Sequence, residues 1–378
     1  MHLADLHLGK RVNEFSMLED QKYMLEQVLK LIEEEQVQGL LLAGDIYDRQ
    51  IPPVEAVRLL DDFLTKVSQM GVDVYMIGGN HDSMERVSFG ARLMEYSGIH
   101  IAAQYDGTVT CVTAQDGYGA VDIYLLPFIK PAQVRAVWGQ EAEQIRFCQE
   151  AVEFVLGRIT KNKENRNVLV AHQYVAGAEV CDSEERSVGG LDQVAASCFE
   201  GFDYVALGHL HGPQKVGRET VRYAGTLLKY SFSEVEHKKS VTIVELRDKG
   251  ETIVYTRPVS PLHEMREIRG SYEEVTDRSH YINTDTKDYV RITLTDEEDI
   301  FDALGRLRAI YPNLMKLDYD NMRTRQNRAV TVSEERESKD PLTLAEELYV
   351  LQNNGPMSQE QCGYLQELIR SVWEEGEI

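Results

Sequence analysis

The sequence predicts an α/β fold with two packed sheets flanked by helices, followed by a small α+β capping domain and a pair of C-terminal helices. Three observations support this prediction. Helical and strand patterns alternate through the first half, short β-like runs follow residue 211, and the composition changes near residues 258–261. At 378 residues the chain is also too long for one ordinary core. We therefore expect more than one domain, with the first boundary near residue 260.

The first four predicted elements alternate between helix and strand. Residues 17–35 carry apolar side chains at helical spacing, and the apolar run at 38–43 is typical of a buried strand. A pair of prolines opens a second helix at 54–70, and a second strand follows at 72–77. Polar residues cluster directly after these strands, where open α/β sheets usually carry their sites.

The rest of the first domain continues with a different rhythm. Further strands are predicted at 121–126, 168–171, 204–207, 220–223 and 240–246, with a helix at 140–161. Polar, histidine-containing patches again follow two of these runs. This progression from α/β to β patterns suits two sheets that pack on each other.

The region after residue 260 divides into a cap, a linker and two terminal helices. The cap, residues 261–322, contains a β-α-β unit with a strand at 289–294, a helix at 297–310 and a strand at 314–319. This unit is too small to be an independent domain of normal size. The polar stretch at 323–339 is predicted to be a linker.

The terminal segment, residues 340–378, has sharp helix start and stop signals. Ser358 and Gln361 form a capping-box pattern that opens the second helix. One face of that helix carries apolar residues at helical spacing: Leu365, Leu368, Ile369 and Val372. These helices either fold back on the cap or dock on a partner helix or coiled coil.

Composition limits the classes of function. Lys and Arg total 40 against 63 Asp and Glu, so the net charge is -23. This balance excludes a protein whose whole surface grips nucleic acid, although a local basic face remains open. No apolar stretch approaches the roughly 18 residues of a membrane span. The five cysteines are far apart without a CxxC pair, which favours reduced thiols. We expect a soluble, cytoplasmic protein.

Oxygen and imidazole side chains recur in short patches after the apolar runs. The patches are DLH at 5–7, GDIYD at 44–48, GNHD at 79–82, His172, and GHLH at 208–211. Carboxylates and imidazoles without thiolates favour manganese, iron or zinc. Two such ions about 3.5–4 Å apart could hold a phosphate and lower the pKa of a bridging water. Asp45 is the expected bridging ligand, because it is central in the series and follows a glycine.

These motifs resemble the calcineurin-like metallophosphoesterase superfamily. The runs HLADLHLGK, GDIYDRQIPP, GGNHDS, GHLHGPQ and YAGTLLKYSFSE are similar to those of the SbcD-type nuclease subunits within it. The resemblance covers about residues 1–260 and extends more loosely beyond them. It implies a four-layer α/β/β/α metallophosphoesterase fold over residues 1–260. It also implies two divalent ions, with manganese the ion we expect.

The resemblance also implies ligands and catalytic residues. The first ion would be held by Asp5, His7, Asp45 and His211, and the second by Asp45, Asn80, His172 and His209. His81 would face the phosphate and stabilise the transition state or protonate the leaving oxygen. Asp82 would orient the His81 ring, or would simply cap a turn.

One departure from the family pattern lies at the start of the sequence. Family members usually carry several apolar residues before the first motif, whereas only four residues precede Asp5 here. A shortened first strand would hold Asp5 less rigidly. We therefore expect somewhat lower stability or metal occupancy.

The substrate class follows from the residues beside the motifs. Protein phosphatases of the superfamily place an arginine before the Asn-His pair, where this chain has Gly78 and Gly79. Without that guanidinium a phosphate dianion loses a bidentate partner, which favours a diester. A DNA backbone could be followed by basic residues that flank the motifs, although each could be an ordinary surface charge: Lys10, Arg11, Arg49 and Lys229.

The implied function is the nuclease subunit of a complex with an SbcC-like coiled-coil ATPase. Such a subunit would act on DNA ends and hairpins in recombination, replication and repair, as an ATP-dependent double-strand exonuclease and single-strand endonuclease. The chain has no GxxxxGK[ST] motif, so ATP would be bound by the partner. A homodimer through the helices at 17–35 and 54–70 is also implied. The alternatives are a small-molecule or cyclic-nucleotide phosphodiesterase, and a non-catalytic scaffold for the ATPase.

Overall fold

The computed structural model describes residues 1–184, 192–322, 324, 342, 345, 346, 348–350 and 357–375. Its backbone divides into two compact units, Met1–Met265 and Arg266–Ile378. The domain boundary predicted near residue 260 remains a prediction, as do the roles given to the cap and the terminal helices. Within the described residues, no helix is both long enough and apolar enough to cross a membrane.

The first unit contains most of the strands. In chain order they are β1 (His2–Leu3), β2 (Arg11–Val12), β3 (Phe15–Ser16), β4 (Gly39–Ala43), β5 (Asp73–Ile77), β6 (Ile99–Ala102), β7 (Thr110–Asp116), β8 (Gly119–Leu126), β9 (Arg166–His172), β10 (Tyr174–Val175), β11 (Gln193–Val194), β12 (Tyr204–Gly208), β13 (Gln214–Val216), β14 (Arg218–Tyr223), β15 (Ser240–Leu246) and β16 (Thr252–Pro258). Its α-helices are α1 (Leu18–Glu34), α2 (Val54–Gln69), α3 (Met84–Val87), α4 (Ala91–Met94), α5 (Pro131–Trp138) and α6 (Cys148–Leu156).

Two six-stranded sheets form the centre of this unit among the described residues. The first has the order β16-β15-β1-β4-β5-β6, and its last four strands are parallel. The second has the order β13-β14-β12-β9-β8-β7, and β14, β12, β9 and β8 are parallel. In both sheets the parallel strands therefore end at one edge, where loops can bring polar side chains together.

The sheets pack face to face and helices cover their outer sides. One buried cluster joins Leu41 and Tyr75 of the first sheet to Ile123 and Val170 of the second. A separate buried cluster packs α5 and α6 on the outer face of the second sheet. Val152 of α6 is one of its residues. Helices α1 and α2 bury their apolar faces on the side of the first sheet. The four-layer α/β/β/α arrangement is confirmed.

Most predicted elements of this unit are present within one or two residues, but one helix is wrong. The helix predicted at 140–161 is only α6, preceded by a 3₁₀ turn over Gly139–Ala142. The carboxylate of Glu150 accepts hydrogen bonds from the N–H groups of Arg146 and Phe147 at 2.6 and 3.2 Å. This cap starts the helix at Cys148 and separates it from the turn.

The second unit contains a three-stranded sheet. Its elements are β17 (Met265–Gly270), α7 (Tyr272–Thr276), α8 (Arg278–Tyr281), β18 (Tyr289–Leu294), α9 (Ala303–Arg308) and β19 (Leu314–Tyr319). The predicted β-α-β unit is present, because β18 and β19 are parallel. Its helix is shorter than the predicted 297–310, since Asp302 has a left-handed backbone (φ 51°) that cannot extend a right-handed helix.

The last described helix, α10, spans Gln359–Glu375. The capping box predicted at its start is present: Ser358 N–H donates to Gln361 Oε1 at 2.9 Å, and Gln361 N–H donates to Ser358 Oγ at 3.2 Å. Gln361 Nε2 also donates to Tyr349 Oη at 2.9 Å, so this helix contacts the segment before it. The predicted linker, apart from Thr324, lies outside the described residues.

Candidate metal centre

The seven predicted ligands lie on loops at the carboxyl ends of the parallel strands. Their places are Asp5 and His7 after β1, Asp45 after β4, Asn80 after β5, His172 at the end of β9, and His209 and His211 after β12. The strand register brings these ligands together, because neighbouring strands end at the same level. Ala43 pairs with Ile77, and His172 pairs with Gly208. Six of the seven are buried, and Asn80 is partly exposed.

Four of these residues have an unusual backbone. Asp5, His7, Asp45 and His209 have positive φ angles of 53°, 44°, 48° and 109°. Residues other than glycine pay about 1–3 kcal/mol for such conformations, which persist only where the surroundings enforce them. The loops thus hold strained residues at the place where the candidate ligands meet, a common property of functional sites.

Hydrogen bonds between the loops maintain this strain. Asp5 N–H donates to the Gly44 carbonyl at 3.1 Å, and His7 N–H donates to the Asp45 carbonyl at 2.9 Å. His209 N–H donates to Asp5 Oδ1 at 2.9 Å, which joins the loops of the two sheets. The centre is therefore built by both sheets together.

One group of side chains surrounds the place expected for the first ion. The Nε2 atoms of His7 and His211 lie 3.2 Å apart, and His7 Nε2 lies 3.8 Å from Asp45 Oδ2. Two ring nitrogens that face each other at this distance need a proton or a cation between them. The residues present therefore fit a divalent ion.

A second group shares Asp45 with the first. Asn80 Oδ1 lies 3.0 Å from His172 Nε2 and 3.1 Å from His209 Nδ1. His172 Nε2 is 3.4 Å from Asp45 Oδ2, while its Nδ1 lies 2.8 Å from the Ala43 carbonyl. That carbonyl fixes the ring with Nε2 toward Asn80 and Asp45. The position of Asp45 between the two groups is compatible with the bridging role expected for it.

The charges of the centre favour binding of a cation. Burial alone would raise the pKa of Asp45, but the imidazoles of His172 and His7 outweigh it and hold that pKa well below its usual range. Burial alone would lower the pKa of His172, yet Asp45 raises it to about 9. Burial lowers the pKa of His7 well below normal and that of His209 to about 3. A metal ion would replace the proton on His172 and find neutral imidazoles.

Among the two carboxylate ligands, Asp5 is the one whose negative charge is less stabilised by the surrounding protein. Burial and the nearby carboxylate of Asp45 raise the pKa of Asp5 well above its ordinary value, against the opposing effects of His172 and the His209 N–H. A divalent cation would stabilise its ionised form. Asp5 is therefore expected to gain most from metal binding.

His81 is placed to act beside the ligands. Its Nε2 lies 3.9 Å from Asp45 Oδ2, and its side chain is 21% exposed, so a substrate can reach the ring. Its Nδ1 lies 3.1 Å from the Asp48 carbonyl. Its own N–H donates to Asp45 Oδ1 at 2.9 Å.

Asp82 has different partners from those implied by the resemblance. Its carboxylate accepts the N–H groups of Ile46, Tyr47 and Gly79 at 3.1, 2.9 and 2.9 Å. The Asp48 carbonyl occupies the position beside His81 Nδ1 that we expected for Asp82. Asp82 thus joins the loops after β4 and β5, which corresponds to the alternative of a turn cap.

The predicted basic rim is only partly available to DNA. The amino group of Lys10 pairs with Asp48 at 2.6 Å, and that of Lys229 contacts the Val235 carbonyl and Glu264 at 2.6 and 2.8 Å. Their side chains are 15% and 11% exposed. The charge of Lys229 is already paired with Glu264, and its contact with DNA stays a prediction. The side chain of Arg49 is 69% exposed. Arg11 is also exposed.

Several residues that support the centre were not found by sequence reasoning. Gln21 of α1 donates to the His7 carbonyl at 2.8 Å and to Tyr230 Oη at 2.9 Å, and it accepts the Gly9 N–H. Ser183 Oγ lies 2.6 Å from His211 Nδ1. Tyr230 belongs to the YAGTLLKYSFSE run, so that run was a signal whose role the sequence alone does not give. Gln21 and Ser183 stand in no motif.

Comparisons with known proteins identify the family of the chain. Residues 1–213 match the family model of calcineurin-like phosphoesterases, and residues 261–353 match the model described as the type 5 capsule protein repressor C-terminal domain. The chain is 32% identical over 324 residues to the SbcD subunit of nuclease SbcCD from Staphylococcus epidermidis, covering 84% of each chain. Among solved structures, a dimetal phosphatase from Danio rerio is similar, with 12% identity and a TM-score of 0.39. That alignment covers 69% of this chain and 96% of the other.

Proposed function

The chain belongs to the calcineurin-like phosphoesterase family and to its SbcD members, and from this premise we propose that it is the nuclease subunit of an SbcCD-like complex. It is a metal-dependent phosphodiesterase that hydrolyses DNA phosphodiesters. The observation that carries the proposal is the meeting of Asp45 with two histidine-containing groups at the carboxyl ends of the parallel strands of both sheets.

Two divalent ions fit the donor set, with manganese as the proposed metal. Asp5, His7, Asp45 and His211 would hold the first, and Asp45, Asn80, His172 and His209 the second. When bound, they would supply Lewis-acid polarisation of the phosphate and an activated water. Carboxylate, amide and imidazole donors agree with such ions.

The protein itself would orient the phosphodiester and handle a proton. With its Nδ1 beside the Asp48 carbonyl, His81 presents Nε2 on the side of Asp45. From there Nε2 can stabilise the developing charge or protonate the leaving oxygen. Gly78 and Gly79 present no guanidinium to the phosphate, which favours a diester over a dianion. Arg49, whose side chain is 69% exposed, is a cation of the rim that could contact a neighbouring phosphate.

The remaining proposals concern substrate and partners. We place the activity at DNA ends and hairpins, as ATP-dependent double-strand exonuclease and single-strand endonuclease in recombination, replication and repair. An SbcC-like coiled-coil ATPase would dock on the terminal helices, residues 340–378. Residues 1–260 would form the nuclease domain, 261–322 the cap and 323–339 the linker. A cytoplasmic location suits the free cysteines.

A homodimer is part of the proposal. The start of α2 exposes apolar side chains that a second copy could cover, since Val54 is 60% and Val57 is 41% exposed. Helix α1 offers less, with Tyr23 at 38%. The proposed contact therefore depends more on α2 than on α1.

The test is manganese-dependent cleavage of a labelled hairpin DNA by the purified chain, alone and with its ATPase partner. Wild type is compared with His81→Ala, which should lose about 10²–10⁴-fold in rate while binding manganese normally. Bis-p-nitrophenyl phosphate serves as the small diester. The control His280→Ala, at an exposed histidine of the second unit, should cleave like wild type.

The rival functions give different results in the same assay. Hydrolysis of the small diester without DNA cleavage, even with the partner, would indicate a small-molecule phosphodiesterase. Partner binding without hydrolysis of either substrate would indicate a scaffold. Either outcome would contradict the proposed nuclease.

A further inference from the structure

On the Nδ1 side of the His211 ring, three polar side chains that are not among the predicted ligands form a chain of contacts. Ser183 contacts its ring, Glu234 contacts Ser183, and Lys239 contacts Glu234. We propose that these three residues form a positioning relay that fixes His211 in the tautomer presenting Nε2 to the first metal ion. This proposal adds positioning residues to the proposed metal site and rests on the proposed function.

The direction of the hydrogen bonds follows from chemistry. Ser183 Oγ lies 2.6 Å from His211 Nδ1 and 2.6 Å from Glu234 Oε1. An ionised carboxylate can only accept, so the serine hydroxyl must donate to Glu234. The serine oxygen then accepts a proton from His211 Nδ1. Nδ1 therefore carries the hydrogen, and the lone pair of Nε2 is available for a metal.

Lys239 keeps Glu234 ionised. Both residues are buried, with Glu234 at 0% and Lys239 at 5% exposure. The ammonium group donates to Glu234 Oε2 at 2.6 Å, to Thr226 Oγ1 at 2.7 Å and to the His211 carbonyl at 2.9 Å. All three ammonium protons thus have acceptors, which a buried charge requires.

The backbone of His211 is held as firmly as its ring. Its N–H donates to Glu184 Oε1 at 2.6 Å, and its carbonyl accepts from Thr226 N–H at 3.1 Å as well as from Lys239. With these groups and Nδ1 engaged, the ring can point only one way. Its Nε2 meets His7 Nε2 at 3.2 Å, inside the first group of ligands.

A separate metal site at the same place is the competing interpretation. Ligand atoms of Cys181, His211 and Glu234 lie within 4.8 Å of one another. The ammonium of Lys239, 2.6 Å from Glu234, already supplies the positive charge there. A second cation beside it would be repelled, so a relay explains the cluster better.

The test removes one hydroxyl. Ser183→Ala deletes the link between His211 and Glu234, and Ser183→Thr restores a hydroxyl. Ser233→Ala is the matched control, since its hydroxyl contacts Asp182 N–H and Ser231 in the same region. In histidine-labelled, metal-free protein, ¹⁵N spectra should show His211 as the Nδ1–H tautomer in wild type, threonine variant and control, and as a tautomer mixture in Ser183→Ala. A His211→Asn sample assigns the signal.

Manganese binding, followed by electron paramagnetic resonance titration, provides the second readout. In Ser183→Ala one binding step should weaken about 10–100-fold, while the step assigned to Asn80, His172 and His209 should not change. An unchanged His211 tautomer with two unchanged affinities would overturn the relay, as would a Ser183→Thr protein that behaves like Ser183→Ala. Wild-type protein that binds no manganese would contradict the proposed function, while the spectra would still decide the relay.

Discussion

Gly79 lies so close to Asp45 that no larger residue fits there without movement of the backbone. A Cβ atom at this position would lie 2.1 Å from Asp45 Oδ1 and 2.4 Å from Asp45 N. In the sequence, Gly79 indicated a diester substrate because no arginine stands there, and in the structure it is also needed for the assembly of the centre. The two roles can be separated by measuring stability without substrate.

We predict that Gly79→Ala destabilises the protein by about 1–3 kcal/mol, because the added methyl group overpacks a rigid loop. Gly117→Ala is the control, since its Cβ would meet nothing within 4 Å. It should be neutral or should stabilise by up to about 1 kcal/mol through the unfolded chain. Urea denaturation of metal-free protein measures both variants. Equal midpoints for Gly79→Ala and wild type would show that the loop can yield.

A buried histidine outside the centre makes stability depend on pH. Burial, with a smaller contribution from Arg222, lowers the pKa of His2 to about 3. In the unfolded chain a histidine titrates near ~6.5. Between these values the unfolded state takes up a proton that the folded state does not. The stabilisation is thus complete above about pH 6.5 and is lost as the pH falls toward 3.

We expect His2→Gln to reduce the slope of unfolding free energy against pH between about 4.5 and 6. One proton corresponds to at most about 1.4 kcal/mol per pH unit. Urea denaturation at several pH values measures the slope, with His280→Gln, an exposed histidine, as the control. The same slope in His2→Gln and wild type would show that other groups cause the acid sensitivity.

For single residues of the centre, the sequence indicates the residue types but not their backbone conformations. Asp5, Asp45 and the three later histidine positions stand in short polar patches, and the family resemblance of those patches implies their roles as ligands. The positive φ of Asp5 and Asp45 is not predictable, because it is imposed by hydrogen bonds from another loop. The partners of Asp82 depend on contacts with residues 46 and 47, which no local pattern encodes.

Helix α1 does more than cover the first sheet. Gln21, buried on this helix, binds the loop that carries His7 through the Gly9 N–H and the His7 carbonyl, and it also binds Tyr230. Tyr230 Oη in turn donates to the Leu6 carbonyl at 2.9 Å. Helix α1 therefore fixes the loop after β1, which carries Asp5 and His7.

We predict that Gln21→Leu costs about 1–3 kcal/mol per buried group left without a partner, and weakens manganese binding. Gln27→Leu, on the same helix, removes an exposed contact with the Ser260 carbonyl and should cost less than about 0.5 kcal/mol. Thermal melts and manganese titrations compare the two. A Gln21→Leu protein with normal manganese affinity would mean that the loop keeps its shape without the helix.

Helices and strands were predictable from the sequence where one helix face or one apolar run is buried. The residues at which a helix starts were less predictable, because capping interactions determine them. The strands β4, β5 and β12 are continuous apolar runs, so their existence follows from composition. The true starts of α6 and α9 depend on the Glu150 cap and on the backbone of Asp302. Periodicity alone extends both helices too far.

The net charge of the whole molecule predicts that this chain alone binds DNA weakly. With a net charge of -23, the chain also has Lys10 and Lys229 of the predicted rim already paired with acidic residues. In the proposed complex, most of the phosphate neutralisation would therefore come from the partner. The proposed docking segment thereby becomes important for substrate capture as well as for assembly.

Leu365 and Ile369 of α10 test that segment. Leu365 is partly buried, and the neighbouring Leu368 is 47% exposed. The side chains of Ile369 and Val372 lie outside the described residues. Replacing Leu365 and Ile369 with glutamate should abolish binding of the ATPase in a pull-down assay, because apolar contacts are lost. Hydrolysis of the small diester should continue. Gln366→Glu, an exposed neighbour, is the control, and simultaneous loss of hydrolysis would place the two residues in a core.

The centre takes its ligands from positions spread between residues 5 and 211, and from loops of both sheets. During synthesis, a nascent chain that ends before His209 carries the ligands up to His172 but lacks the side chains that complete either group. The capacity to bind metal therefore arises late and all at once, when the second sheet closes on the first. Affinity for a divalent ion can serve as a sensor of finished folding, and a newly made chain cannot act on nucleic acid before its architecture is complete.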